Sequence, residues 1–373
     1  MMSFVFSKWI LILVTMVSNI DISSSFSTIH VPFLPPSAHY RPNKLSRMMI
    51  TLEEHTISSL PLDSTSTPVQ LPVADYTSKT SFTTSDSSAS YGNPHGRHFD
   101  TTSPPPVLLL HGLLGSKRNF ASLGTSLSDL LVTKRPILAL DLRNHGDNND
   151  FRTDMSYESM AMDVLAFLDA YNHKQVVLVG HSMGAKVAST LALLHPDRVA
   201  GLVVLDMAPV TYSNDDVAWK AVRDILHVLA DLDITSCKTK RDVDLLLRPN
   251  IPDPALRAFV LTNLQQQQPN VSSSSSVSTS CSSHLSWKIP LTWMREELPT
   301  LAGFPEVTNS RQYEGDAFFI HGGQSKFVRN IHLSRIAALF PNHMLTTIRG
   351  SGHWVHAEAP DAVLTLLKRY LDR

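Results

Sequence analysis

A serine between two glycines, an aspartate closing a strand and a histidine in a late glycine-rich loop are the residues of this chain that together could do chemistry. The serine lies in Val176-Val-Leu-Val-Gly-His-Ser-Met-Gly-Ala-Lys186. Four apolar residues run into Gly180-His-Ser-Met-Gly184, and a helical segment of small residues, Ala185 to Leu194, follows at once. This reads as strand, tight turn and helix. Only hydrogen fits where a strand reverses into a helix within two residues, hence glycine at 180 and 184. The turn holds Ser182 in a strained backbone conformation with its hydroxyl off the sheet edge, the geometry of a nucleophile elbow. A hydroxyl is a poor nucleophile at neutral pH, so it needs a base within hydrogen-bond reach and a third group to orient that base. The chemistry is therefore acyl transfer through Ser182.

His353 is the candidate base, because Gly350-Ser-Gly-His-Trp354 follows the last strand and can bring an imidazole over the edge where Ser182 projects. His356, three residues on, is the alternative base and otherwise a surface histidine. Asp206 is the candidate acid. It ends a strand on the same edge, and the competing reading has it capping the segment that follows. Asp316 precedes its strand and so lies at the opposite edge. A tetrahedral intermediate needs two backbone N–H donors at its oxygen. Met183, directly after the nucleophile, supplies one, and Leu113 in His111-Gly-Leu-Leu-Gly115 supplies the other. The run Asp141-Leu-Arg-Asn-His-Gly146 reads as architecture. Asp141 and Arg143 satisfy backbone groups of the neighbouring loop, Gly146 turns the chain, and His145 is a candidate for touching substrate.

The elements that must position these residues alternate. Strands are expected at Pro105 to Leu110, Ile137 to Asp141, Val176 to Val179 and Val199 to Leu205, with helices at about Asn119 to Leu131, Tyr157 to Tyr171 and Ala185 to Leu194. That spacing predicts an α/β fold with a mostly parallel sheet and helices on both faces. The alternation stops at 207–316, which holds helical segments such as Asp215 to Ala230 and Asp253 to Leu264 and no convincing strand. It is read as a helical cap inserted in the sheet domain. Within it, Gln265 to Ser283 is a Gln/Ser tract expected to be a disordered excursion. The sheet resumes at Ala317 to His321 and Met344 to Arg349, and a closing helix runs from Pro360 to Tyr370.

Composition narrows the class. In 373 residues, 43% hydrophobic, a large core is affordable, and a formal net charge of −1 points to neither a nucleic-acid partner nor a charged membrane surface. The 17 histidines are scattered, with no C-x-x-C or H-E-x-x-H spacing, so no metal is indicated. Cys237 and Cys281 are too few for a disulfide framework. Residues 1–25 read as a signal-peptide-like segment, with an apolar run at Trp9 to Val17 that is short for a membrane span. Residues 26–70, with no acidic residue before Glu53 and with Arg41, Lys44, Arg47 and several serines, read as a transit or linker region expected to be disordered. Together they are similar to the two-part presequence of algal plastid proteins, with mitochondrial import and secretion as alternatives. The folded domain is expected over 71–373, with only weak strand signals at Leu71 to Tyr76, part of a poorly formed first hairpin.

With these residues assembled, the chain from about Pro106 to Leu371 resembles the α/β-hydrolase superfamily, within it the group of abhydrolase domain-containing protein eleven and related bacterial esterases. HGLLGSKRNF at 111–120, DLRNHG at 141–146, GHSMGAK at 180–186, DMAPV at 206–210, HGGQSKFV at 321–328 and GHWVHAEAP at 352–360 carry the resemblance. It implies an eight-stranded sheet with a helical cap, and hydrolysis of acyl esters or thioesters without a cofactor. In most of the superfamily the acid follows the strand after the cap, where this chain has His321-Gly-Gly-Gln-Ser325-Lys, with Ser325 at the expected place. Some assignments in the group put the acid in the cap, where this chain has Thr292. Both departures favour Asp206. Ala185 also replaces a usual third glycine. Epoxide hydrolysis and dehalogenation would need an aspartate at 182. The rival class is a hydrolase-fold ligand receptor or assembly factor with little turnover.

Overall fold

The computed structural model describes residues 54–55, 71–77, 104–148, 150–267 and 284–373. The expected targeting and linker segments at 1–25 and 26–70 lie outside them, as do Cys281 and most of the Gln/Ser tract, apart from the two residues at 54–55. Ten strands occur among the described residues: β1 (Glu54–His55), β2 (Val73–Asp75), β3 (Val107–Leu110), β4 (Ile137–Leu140), β5 (Val176–His181), β6 (Val199–Leu205), β7 (Leu264–Gln267), β8 (His284–Trp287), β9 (Ala317–Gly322) and β10 (His343–Ile348). Eight of them form one sheet in the order β1-β2-β4-β3-β5-β6-β9-β10. Only β2 runs against the rest.

The central strands are apolar throughout because the sheet is covered on both faces. Alternate residues enter different cores, as a side-chain period of two requires. Leu108, Leu110, Leu178 and Val204 pack under α2 (Tyr157–Ala170), α3 (Met183–Leu194) and the cap. Val107, Leu109, Val179 and Val203 pack on the other face, against α1 (Ala121–Leu130) and the C-terminal helix Pro360–Leu371.

One weak sequence signal proves to be a strand. The segment Val73–Asp75 pairs with β4 on one side and β1 on the other, and Tyr76 beside it donates its hydroxyl to the carbonyl of Lys117 at 2.9 Å. The cap holds helices α4 (Val217–Asp231), α5 (Lys240–Leu247), α6 (Pro254–Val260), α7 (Leu291–Glu296) and α8 (Leu298–Ala302). It also holds an antiparallel pair, β7 with β8, where no strand was expected. The Asp253 to Leu264 helix is accordingly shorter, ending in a 3-10 turn at Leu261–Asn263. Gln265 to Gln267 belong to β7 and not to the excursion. Polar residues with little strand propensity are drawn into pairing here because main-chain bonds, not side chains, hold a two-stranded ladder. The cap helices start on side-chain caps: Asp216 accepts from Ala218 N, Thr239 from Asp242 N and Asp253 from Ala255 N. Among the described residues no helix is long and apolar enough to cross a membrane.

Register places the site. Gly180 pairs with Leu110 on one side and Val204 on the other, and Leu205 pairs with His181 and Ile320. Strands β5, β6 and β9 therefore end in step, and the residues just past them share one edge. The elbow is tight: a Cβ at Gly184 would lie 2.3 Å from the Leu110 carbonyl oxygen and 2.6 Å from that of His111, both on backbone. Gly184→Ala is expected to cost about 3 kcal/mol or more, since neither strand nor helix can withdraw. A urea midpoint within about 0.5 kcal/mol of wild type would show that the elbow has slack.

Candidate active site

Four residues past the ends of strands carry positive φ without being glycine: Leu114 and Asn144 at 61°, Ser182 at 53° and Asp206 at 51°. Such conformations cost about 1–3 kcal/mol each and persist where packing enforces them. At Ser182 the enforcement comes from the strand on one side and α3 on the other, with Ser182 N bonded to Leu205 O at 3.2 Å and Ala185 N to Ser182 O at 3.0 Å. At Asp206 it comes from β9, whose Ile320 carbonyl accepts from Asp206 N at 2.8 Å.

These turns bring Ser182, His353 and Asp206 together. His353 Nε2 lies 3.0 Å from Ser182 Oγ, and its Nδ1 lies 2.7 Å from Asp206 Oδ2. A carboxylate facing Nδ1 places the ring proton there, which leaves Nε2 free to accept from the serine. Asp206 is fully buried, and its other oxygen accepts from Gly322 N at 2.9 Å. The Ser325 hydroxyl donates to Asp206 Oδ2 as well. Ser325 thus stands behind the carboxylate and does not bond the imidazole. Phe327 stacks on the His353 ring at 4.1 Å between centroids, fixing its plane.

The oxyanion loop is tied to the elbow by Gly184 N donating to His111 O at 3.0 Å. Met183 is the first residue of α3, so its amide has no partner within that helix. Leu113 and Met183 both line the cleft at Ser182, with Met207, Trp219 and Phe327 among the apolar walls. The cleft measures about 20 Å³, room for about one water. A larger hollow of about 360 Å³ lies in the cap between Leu229, Trp287 and Trp293, and none of Ser182, His353 and Asp206 lines it; Thr292 does.

Three expectations need correction. His356 is neither base nor surface residue. Its ring packs 4.5 Å from that of His181 and 5.2 Å from that of Phe120, its Nδ1 is buried without a hydrogen bond, and burial pushes it down to about 4. His145 is buried against His111, its Nδ1 bonding the Arg143 carbonyl at 2.8 Å, which excludes contact with substrate. The capping alternative for Asp206 is displaced by its bonds to His353, Ser325 and Gly322. Asp316 lies at the start of β9, its carbonyl accepting from Leu202 N and the Tyr370 hydroxyl.

The run at 141–146 is a scaffold. Asp141 accepts from Lys117 N at 2.6 Å, Lys117 Nζ at 2.8 Å and Asp147 N at 2.8 Å, with Asp141 and Lys117 both fully buried. Gly146, at φ 61°, packs so closely on the Asp141 carboxylate that a Cβ would lie 2.2 Å from its Cγ. Arg143 donates to Asp163 at 2.7 Å and to the carbonyls of Asp154 and Ser159. His111 Nε2 accepts from Leu142 N at 3.0 Å, joining this loop to the oxyanion loop.

Sequence reading missed Lys186 and Glu358. Lys186, one turn after Ser182, is buried; its Nζ donates to Ala302 O at 2.8 Å and Gly303 O at 2.5 Å and sits over the rings of Tyr157 and Tyr212. Burial pushes its amine well below the usual lysine range. The signal was a lone charge in a helix of small apolar residues. Glu358 bonds the loop that carries His353; it was inside the GHWVHAEAP run without a role.

Residues 105–228 match the family described as alpha/beta hydrolase fold. The sn-1-specific diacylglycerol lipase ABHD11 of Mus musculus is 32% identical over 267 residues, covering 72% of this chain and 81% of that protein. Esterase YbfF of Escherichia coli is 31% identical over 271 residues, covering 72% and 93%. Among solved structures, a marine microorganism esterase superposes with TM-score 0.65 at 29% identity, covering 72% of this chain and 95% of that one. The family match, together with identity at this level across most of those proteins, means that the chain belongs to the α/β-hydrolase family, among its esterases and lipases.

Proposed function

We propose that the protein is a serine hydrolase of carboxylic esters or thioesters with small or lipid-like acyl groups, working through an acyl-enzyme. The observation that carries this reading is the continuous chain from Ser182 Oγ through the His353 ring to the buried Asp206 carboxylate, at 3.0 Å and 2.7 Å. Ser182 attacks the acyl carbon and its proton passes to His353 Nε2. Asp206 keeps the ring in the productive tautomer and stabilises the imidazolium. The amides of Leu113 and Met183 hold the oxyanion. Collapse expels the alcohol or thiol, which takes the proton from Nε2, and water then repeats the sequence to release the acid. Among the described residues, Lys186 is the one charged side chain lining the cleft beside Ser182, and its amine is taken up by the Ala302 and Gly303 carbonyls, so the apolar walls favour an uncharged acyl chain. The relatives named as diacylglycerol lipase and esterase support the same class.

Purified protein and Ser182→Ala should be treated with a fluorophosphonate probe and a short-chain nitrophenyl ester. Wild type is expected to label and turn over, and Ser182→Ala to lose labelling and about 10⁴–10⁶ in kcat. Wild type that neither labels nor hydrolyses would instead favour a ligand-binding protein on a hydrolase fold.

A further inference from the structure

The triad distances depend on where the main chain holds His353, and nothing in the imidazole's own bonds explains why the loop 350–354 stays in place. That loop lies beyond the last strand, so no sheet pairing fixes it. It contains two glycines, one of them, Gly350, at φ 76° with open space around it. By itself such a segment is mobile.

Two side chains outside the triad grip it from different sides. The Glu358 carboxylate accepts from Gly352 N and, through its other oxygen, from Trp354 N at 3.1 Å, with the Ser351 hydroxyl at 3.4 Å. The amides on both sides of His353 thus converge on one carboxylate. The contact is close enough that a Cβ at Gly352 would lie 3.1 Å from the carboxylate. Main-chain donors hold two other carbonyls of the loop, Gln324 N reaching Ser351 O at 2.9 Å and Glu358 N reaching Trp354 O at 2.8 Å, and at the carbonyl of His353 itself His181 Nε2–H donates at 3.0 Å. His181 is the residue before the nucleophile and is buried, its ring 4.8 Å from that of His353. Burial pushes it well below the usual histidine range, so it stays neutral and keeps one ring nitrogen as donor.

We infer that Glu358 is a positioning residue for His353, acting through the amides of Gly352 and Trp354, with the His181 imidazole holding the His353 carbonyl from the nucleophile side. This rests on the reading of His353 as the base. Glu358 is not a second acid: both its oxygens are engaged by main chain, and Nδ1 of His353 faces Asp206. Its work is geometric. Charge-assisted bonds to two amides are stronger than neutral ones and are held on the single helical turn Val355–Glu358, which starts right after the loop. The grip is short in sequence and closes a ring of about seven residues around His353. The His181 bond then sets the height of that ring relative to Ser182, since His181 and Ser182 are consecutive. A shift of about 1 Å in a base can cost about 10²-fold in rate.

The test uses the full-length protein, with Glu358→Gln, Glu358→Ala and the exposed Asp361→Asn as a nearby control for lost negative charge. Gln keeps the shape but turns an amide donor toward one of the loop's N–H groups. On a short-chain nitrophenyl ester, Glu358→Gln and Glu358→Ala are expected to lose about 10²-fold in kcat with KM within about twofold, whereas Asp361→Asn retains wild-type rate. Formate is expected to restore part of the rate to Glu358→Ala. Independently of turnover, the downfield proton resonance of the His353 Nδ1–H bonded to Asp206 is expected in wild type and lost in Glu358→Ala. The inference is overturned if the resonance persists in Glu358→Ala, or if kcat per correctly folded molecule stays at wild-type level while only the melting temperature drops. Failure of wild type to label with fluorophosphonate would overturn the hydrolase reading instead, and the resonance would still decide whether Glu358 places the ring.

Discussion

Asp206→Asn is expected to lower kcat for a nitrophenyl ester by about 10⁴-fold, and Ser325→Ala by no more than about tenfold. The difference follows from which atoms bond which. The Asp206 carboxylate faces Nδ1 of His353 at 2.7 Å, whereas the Ser325 hydroxyl donates to the carboxylate and never reaches the ring. An asparagine at 206 can present its amide N–H to Nδ1, which forces the proton onto Nε2, where it blocks acceptance from Ser182. Its shape is nearly unchanged, so folding should survive. Removing the Ser325 hydroxyl deletes one of several bonds to a carboxylate that Gly322 N still holds at 2.9 Å. Single-turnover acylation followed by absorbance separates the two variants. Should Ser325→Ala be the slower, the orienting role would belong to the loop after β9 and not to the strand end at 206.

Acidification is expected to unfold the protein well above the range in which carboxylates titrate. Burial lowers His111 to about 4, and burial together with the neighbouring His111 lowers His145 to about 3. His111 cannot take a second proton without giving up the bond it accepts from Leu142 N, and the His145 Nε2 is buried with no partner for a new N–H. Both are depressed relative to the unfolded chain, near 6.5, so the unfolded state binds more protons between about pH 6.5 and pH 4. Stability is therefore fully present above pH 6.5 and falls as pH drops through that window, by up to about 1.4 kcal/mol per pH unit for each group. Urea unfolding at pH 7.5, 6.0 and 5.0 measures the slope. His145→Phe, which fills the same space without a titrating nitrogen, is expected to flatten it by about one proton. An unchanged slope in that variant would place the acid sensitivity elsewhere.

Much of the site was legible because its geometry is local. Gly180 and Gly184 announce close backbone approach, and the strand on one side with the helix on the other can fold only into an elbow. The order of strand ends then brings Asp206 beside it. What escaped reading depends on partners far away in the chain. Val73–Asp75 has a weak pattern of its own and becomes a strand because β4 offers an open edge. Gln265 to Gln267 look like the start of a polar tract, yet β8 pairs with them from beyond it. His145 looked available because a histidine in a polar run usually is, whereas here His111 and the Arg143 carbonyl enclose it. Glu358 was masked for a different reason: its function is exercised on main-chain amides, which every sequence has and none displays.

The narrowness of the space over Ser182 also shapes how the protein meets a ligand. A cleft of about 20 Å³ holds about one water, so an ester of any chain length is expected to bind in a conformer in which the cap stands further from Ser182. The apparent dissociation constant of a long-chain ester then equals its intrinsic value divided by the population of that conformer. Lys186 contributes to the closed population, because its Nζ bonds the chain at Ala302 and Gly303 from the helix that begins beside the nucleophile. Two substrates with identical chemistry and different chain length are therefore expected to differ in the degree of opening each requires, and the difference between their apparent dissociation constants reports the breathing of the lid above Ser182.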